Sequence, residues 1–300
     1  MSQQTDTIVR TGFSKLLLWS VFSLLLVAAA RGDLWLDEIW SLGFALDADS
    51  AADIFCRFKH DNNHVLNTLY LYFVRDTGDF LVFRTLSILA GMVSLWLLTH
   101  IAQSEWGEGE AMLVLLFAGS AFPMLLYFSE ARGYALAICL SLLAFITLRK
   151  YFESLSKTSL FMFWLVSCAG ILAHATFLMV CLALAFASVA DSSTNSPIRS
   201  RLYRLLPHLP VFGFIAWWYN FYLIDMEIGG GPIFSGGKIL GQTAAFLLGF
   251  PDMAAGHAVA AMIFLVLLTT GLIRLYQTTG RWLFFSGIFI FAPLAMLIAS

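Results

Sequence analysis

The chain has 300 residues, a net charge of −2, 60% hydrophobic and only 12% charged residues, with a mean hydropathy of +0.82. Soluble domains carry about 25% charged residues, and one core cannot hide this much apolar surface, so an ordinary soluble globule is excluded and lipid becomes the solvent. The near-neutral charge also excludes a nucleic-acid binder, which needs a basic face.

Met1 to Gly12 is polar, and Lys15 leads into an apolar run from Leu16 to Ala30. The small residues Val27 to Ala30 would suit a cleaved leader, but similar runs recur along the whole chain, so this one reads as a first membrane anchor. A spanning helix needs ~20 mostly apolar residues. That criterion predicts spans near 14–30, 81–101, 111–128, 133–152, 159–173, 175–190, 209–224, 256–275 and 282–299. The apolar stretch 239–250 is short, and reads as a tenth span or an interfacial helix. The prediction is an all-α polytopic membrane protein, with 1–300 as a single transmembrane domain. The last apolar run has no polar tail, so the natural chain is expected to continue past Ser300.

Basic residues set the orientation. Arg10, Lys15, Arg149, Lys150, Lys157, Arg199, Arg201, Arg204, Arg274 and Arg281 fall on one side. Arg31, Arg57, Lys59, Arg75, Arg84, Arg132 and Lys238 are spread over longer loops on the other. The bias predicts a cytoplasmic N-terminus, although the acidic inner loop Gln103 to Glu110 runs against it.

The first outer loop, Arg31 to Phe80, holds nine of the nineteen acidic residues and two of the six histidines. Loops this long are functional or disordered, and its Trp, Phe, Leu and Tyr content argues for order. Amphipathic helices on the membrane face are predicted over Ala45 to Phe58 and Val65 to Val74. Further on, Asp191 to Ser200 reads as a linker and Gly229 to Gly237 as a flexible loop. The four cysteines show no metal-ligand or redox spacing, and three lie within apolar runs as small filler.

Three polar constellations stand out. Leu34 to Ser41 sets the adjacent carboxylates Asp37 and Glu38 among bulky apolar residues at the membrane surface. They serve as a general base or cation ligand, or they start an interfacial helix and face water. His60 to Thr68 concentrates Asp61, Asn63 and His64, groups able to hold hydroxyls or a phosphate, or to cap the helix that follows. Its spacing fits no recurrent metal pattern, so no cofactor is implied, and a divalent metal is not called for by spacing. Phe128 to Tyr134 carries Glu130 and Arg132, costly in lipid and expected to pair with each other or with the first loop. Arg84, near the outer end of the second span, is of the same kind. Cations there would hold an anionic headgroup or make structural ion pairs. His174 reads as a hydrogen-bonded structural histidine.

The succession Asp-Glu, a His-centred polar motif, Arg84-x-x-Ser87 and Ser129-Glu-Ala-Arg-Gly-Tyr-Ala resembles the GT-C superfamily of membrane glycosyltransferases. The nearest likeness is to relatives of protein O-mannosyltransferases and aminoarabinose transferases. It covers residues 14–190, with 209–300 as additional spans. The resemblance implies a GT-C-type helix bundle whose long first extracytoplasmic loop carries juxtamembrane helices. It also implies transfer of a sugar from a polyprenyl-phosphate donor to a lipid, protein or glycan acceptor. Asp37 would be the catalytic base and Glu38 its neighbour in the acceptor site. Asp61, Asn63 and His64 would line the donor pocket, with Glu130 beside them. Arg84 and Arg132 would hold the phosphate or brace the site. The family's proline pair after the His or Lys is absent, since Val65 and Leu66 follow His64. A bacterial inner membrane with an extracytoplasmic site is the implied location. The alternative reading is a transporter or flippase of lipid-linked or small anionic substrates.

Overall fold

The computed structural model describes residues 2–190, 201–229 and 236–278, with 283–284, 286–288 and 291 beyond them; side chains are described from residue 13. The described residues are helical, with one isolated backbone bridge between His60 and Glu227. Three helices are long and apolar enough to cross a membrane, within Phe80–Trp106, Tyr134–Ser154 and Ala254–Gln277. A fourth span results if the pair Glu108–Ser120 and Phe122–Ser129, bent by 64°, counts as one. Phe13–Ala29, Lys157–Ala173 and Phe177–Ala190 are apolar but shorter. Seventeen residues rise only ~26 Å, less than the ~30 Å of a bilayer's hydrocarbon. The expected nine spans are therefore not all met by length. The predicted span 282–299 lies largely outside the described residues.

The described residues form two compact units. One comprises residues 2–143 with Met226–Gly229, and the other takes up the chain from Ala144.

The first unit holds helices α1 (Ser2–Ala29), α2 (Leu36–Asp47), α3 (Asp53–Cys56), α4 (Val65–Val74), α5 (Phe80–Trp106), α6 (Glu108–Ser120) and α7 (Phe122–Ser129), then the start of α8 (Tyr134–Ser154). Asp79 caps α5 by accepting the Leu81 N–H at 2.8 Å. Gly107 at φ 109° ends it and turns the chain into α6. Pro123, with no N–H to continue the α6 ladder, sits in the first turn of α7, where none is required. The break between α6 and α7 follows from this. Close packing depends on glycine: a Cβ on Gly91 would stand 2.6 Å from the Phe128 ring, so α5 and α7 approach only because Gly91 lacks one.

Polar residues tie the unit at two ends. At one, Lys15 pairs with Glu108 at 2.5 Å and donates to Gln103 at 3.1 Å. At the other, Arg84 reaches the residues following α1. From Arg84 to Gln103, α5 rises ~28 Å, close to the thickness of the hydrocarbon layer.

The loop helices depart from expectation in one place. Val65–Val74 is a helix as predicted. The other predicted helix, Ala45 to Phe58, is replaced by α2, which starts nine residues earlier and contains the Asp-Glu motif, and by the single turn α3. Glu38 fixes the start of α2 by accepting the Trp35 N–H at 2.8 Å. Arg75 caps its end by donating to the Ala45 and Ala48 carbonyls at 2.7 and 2.8 Å. Asp53 then folds the 49–50 turn by accepting both backbone N–H groups.

The second unit contains the remainder of α8, then α9 (Lys157–Ala173), α10 (Phe177–Ala190), α11 (Leu209–Phe221), α12 (Gly236–Leu248) and α13 (Ala254–Thr278). Ser156 caps α9, and Trp164 donates to the Pro207 carbonyl at 2.7 Å. The stretch predicted as a tenth span or interfacial helix is α12; its 13 residues rise ~20 Å and do not span. His208 is buried against Ser188 and Phe163. His174 binds the Thr176 backbone N–H through Nδ1, in keeping with its structural reading.

Candidate functional site

Successive residues on a helix point about 100° apart, so Asp37 and Glu38 leave α2 in different directions. Glu38 turns inward and is fully buried. Arg84 of α5 meets it with a two-pronged contact, Nε to Oε1 at 2.8 Å and Nη2 to Oε2 at 2.6 Å. Oε1 also accepts the Ala131 N–H at 2.6 Å, and Oε2 the Trp35 N–H at 2.8 Å. The other Arg84 hydrogens go to the carbonyls of Ala30 (2.8 Å), Gly32 (2.6 Å) and Asp33 (2.8 Å). A guanidinium has five N–H donors, and all five are occupied. The pair is a closed staple joining α2, α5, the end of α1 and the loop before α8.

Asp37 is different. Its side chain is 42% exposed, and Oδ2 lies 2.8 Å from Nη1 of Arg132, which is 14% exposed. Arg132 Nη2 makes a long bond of 3.3 Å to Asn62 Oδ1, and Nε is buried without a hydrogen bond. The guanidinium lies 4.8 Å over the Tyr134 ring. Backbone contacts hold this loop in place: Asn67 donates to the Ala131 carbonyl at 2.7 Å and Ser87 to that of Arg132 at 3.1 Å. The outer pair is thus positioned rigidly yet left open.

The His60–Asn67 motif folds around it. His64, buried, precedes α4, and its ring centroid is 5.5 Å from that of Tyr134. Asp37, Arg132, Tyr134 and His64 therefore form one continuous run. Asp61 sits 2.8 Å from His60 Nδ1, and His60 stacks on Trp40 with centroids 5.4 Å apart. Glu227 pins this loop through its backbone, accepting the Asp61 N–H at 3.0 Å and donating to the Lys59 carbonyl at 2.9 Å. Asn63 spends its amide on the Ile54 and Phe58 carbonyls at 2.8 and 2.7 Å, shaping its own loop.

Glu130 is buried, and its carboxyl has no hydrogen bond among the described residues. Burial lifts its pKa from 4.5 to about 7; Arg132 opposes the rise, and Glu38 and Asp37 add to it.

These contacts sort the residues singled out from sequence. Arg84, expected at the phosphate or as a brace, has no N–H left for a phosphate and is the brace. Glu38, expected in the acceptor site, has its oxygens filled by four donors. Asp37, His64, Glu130 and Arg132 share one place, with Asp61 on the adjoining loop. Sequence reasoning passed over Asn62, Tyr134 and Asn67, all inside motifs already noticed, and Glu227, whose part depends on a distant return of the chain. Among the described residues, no three His, Cys, Asp or Glu side chains gather as a metal site. An open hollow of about 540 Å³ shares Ala30 with the Arg84 staple, and is otherwise lined by Arg31 and 78–81, apart from the cluster.

Compared with protein-family models, curated protein sequences and solved structures, the chain gives no significant match in any of the three.

Proposed function

We propose that this chain is a membrane glycosyltransferase, moving a sugar from a polyprenyl phosphate to an acceptor by inverting displacement with Asp37 as general base. The observation that carries the reading is the open Asp37–Arg132 pair beside a closed Glu38–Arg84 staple. Such a reaction needs a base at the acceptor hydroxyl or amine and a cation near the departing phosphate. Asp37 and Arg132 supply these within one ion pair, Asp37 lying just beyond the end of α1 and Arg132 in the loop before α8. Arg132 already contacts the base, so an incoming phosphate would compete for the guanidinium and free Asp37 as the acceptor arrives. His64 and Asp61 flank the donor side in this reading, and the order of the motifs along the chain agrees with the GT-C resemblance. The location that follows is a multi-pass protein of a bacterial inner membrane, with its N-terminus inside and the cluster on the outer face.

The bent α6–α7 pair favours a second reading, since transporters often bind substrate at broken helices. The break at 119–123 carries no charged residue, however, and the Ser120 hydroxyl is returned to the Leu116 carbonyl. The test is purified protein in proteoliposomes with synthetic polyprenyl phosphates bearing different hexoses. The transferase reading expects release of polyprenyl phosphate and a glycoside of inverted anomeric configuration. Intact donor crossing the bilayer with no phosphate released would support the transporter instead.

A further inference from the structure

Glu130 is the acidic side chain of the cluster that the Asp37–Arg132–Asn62 contacts and the Glu38–Arg84 staple leave aside. Its place is not accidental. The next residue, Ala131, is bound through its N–H to Glu38 and through its carbonyl to Asn67. The one after, Arg132, is bound through its side chain to Asp37 and through its carbonyl to Ser87. Four contacts from three helices thus hold the two residues that follow Glu130, whose own carboxyl has no hydrogen-bond partner among the described residues. A carboxyl on a residue this buried costs stability when ionised, unless its neutral form has a use.

Charge explains which form it takes. Asp37 and Glu38 from α2 balance Arg84 from α5 and Arg132 from the same loop, so the four sum to zero. Tyr134 of α8 also lies within electrostatic reach of Glu130, with Tyr127 of α7 and His64 before α4 next to Tyr134. An ionised Glu130 would leave this group with a net negative charge, and an arriving phosphate diester would add a second. The neutral acid avoids both, and it brings an O–H where a phosphate oxygen would otherwise meet carboxylates. A carboxylic acid kept neutral in order to donate is a recognised catalytic device.

We infer that Glu130 is a second catalytic residue, the acid that protonates the departing phosphate while Asp37 takes the acceptor's proton. This rests on the transferase reading. In the step, the acceptor oxygen bonds to the anomeric carbon, the bond from that carbon to the phosphate oxygen breaks, and its electron pair stays with the phosphate. The acceptor proton goes to Asp37 and the Glu130 proton to the phosphate. Polyprenyl phosphate therefore leaves as a singly charged hydrogen phosphate. Asp37 then returns its proton to water through its exposed edge, and Glu130 regains one.

The experiment has two arms on the full-length protein. Infrared difference spectra of wild type and Glu130→Gln across pH read the carboxyl directly, without turnover. A neutral carboxylic-acid band that titrates near pH 7 in wild type and is missing from the variant is expected. A wild type without such a band overturns the role. The second arm follows kcat against pH with polyprenyl-phosphate hexoses. Wild type is expected to lose activity on the alkaline side as Glu130 ionises. Glu130→Gln should be ~10²–10³-fold slower, with that limb gone, the scale of general acid catalysis. Dinitrophenyl hexosides, whose leaving group requires no proton, should restore the variant to near wild-type rates, and Glu130→Asp should recover part of the native rate. Near-normal kcat or an unchanged alkaline limb in Glu130→Gln, beside an active wild type, overturns the acid role alone. A wild type that transfers nothing overturns the transferase reading, and the acid role with it.

Discussion

Two neighbouring carboxylates meet two arginines in this protein, and the outcomes are opposite. Around Glu38 and Arg84 every donor and acceptor is matched, side-chain exposure is 0% and 3%, and the partners come from four segments of the chain. Around Asp37 and Arg132 exposure is 42% and 14%, one bond is long, and one buried N–H has no acceptor. A saturated pair can only hold parts together, because any ligand would have to displace a bond already made. An unsaturated pair, held still by its saturated neighbour, can exchange partners. Polar residues at a membrane surface therefore cannot be assigned from residue type alone; the count of occupied hydrogen-bonding positions separates scaffold from chemistry.

The comparison breaks most visibly if the staple is cut. Arg84→Ala leaves a buried carboxylate without its cation and three carbonyls without donors, a loss of ~3–5 kcal/mol for such pairs. Thermal unfolding in detergent should show a large drop or no folded protein, and Arg84→Lys should recover little, because an ammonium cannot reproduce the fork. A near-native melting temperature for Arg84→Ala would mean that the staple is not the brace.

Arg132→Ala sharpens the contrast from the other side. On the transferase reading it would remove one charge-assisted contact to the donor and should raise the donor KM by ~10–100-fold, with little change in melting temperature. Steady-state kinetics with donor varied, beside a melting curve, measure both.

Glu130 gives a smaller effect with a definite sign. Its folded pKa, about 7, is above its ordinary value of 4.5, so the folded state holds the proton more tightly between those limits. Stability from this group is complete below the lower value and lost as pH rises through about 7. Glu130→Gln should therefore melt higher than wild type above that pH, an advantage that shrinks as pH falls; melting curves across the range check it. At the far end of the unit, Lys15→Ala should cost less than ~1 kcal/mol, since the Lys15–Glu108 pair is partly exposed and screened.

Much of the helical framework is legible in hydropathy: α5 and α8 fall close to the predicted 81–101 and 133–152. The helix α2 was not, and the reason is physical. Its buried face is polar, with Glu38 and Ser41 inside, while Leu36, Ile39, Trp40 and Leu46 are exposed. A pattern that reads the apolar side as the inside finds no helix start there, because at a lipid surface that sign reverses. The three motifs of the site could be picked out by their polar residues in apolar surroundings. Which of Asp37 and Glu38 is closed could not, because the two are equivalent along a sequence and only the rotation of α2 against α5 distinguishes them. The hold of Glu227 on residues 59–61 depends on a return of the chain that no local pattern marks.

The most direct test of the account exchanges each carboxylate for its amide, Asp37→Asn and Glu38→Gln, and measures transfer at saturating donor and melting temperature on the same preparations. Asp37→Asn is expected to lose ~10²–10⁴-fold in kcat, the usual contribution of a general base, and to melt within a degree or two of wild type. Glu38→Gln is expected to lose stability first, because its new NH₂ would face Arg84, Ala131 N–H or Trp35 N–H, all donors. The fraction that stays folded should still turn over. Near-normal turnover by Asp37→Asn, or an undiminished melting temperature in Glu38→Gln, would contradict the division of roles.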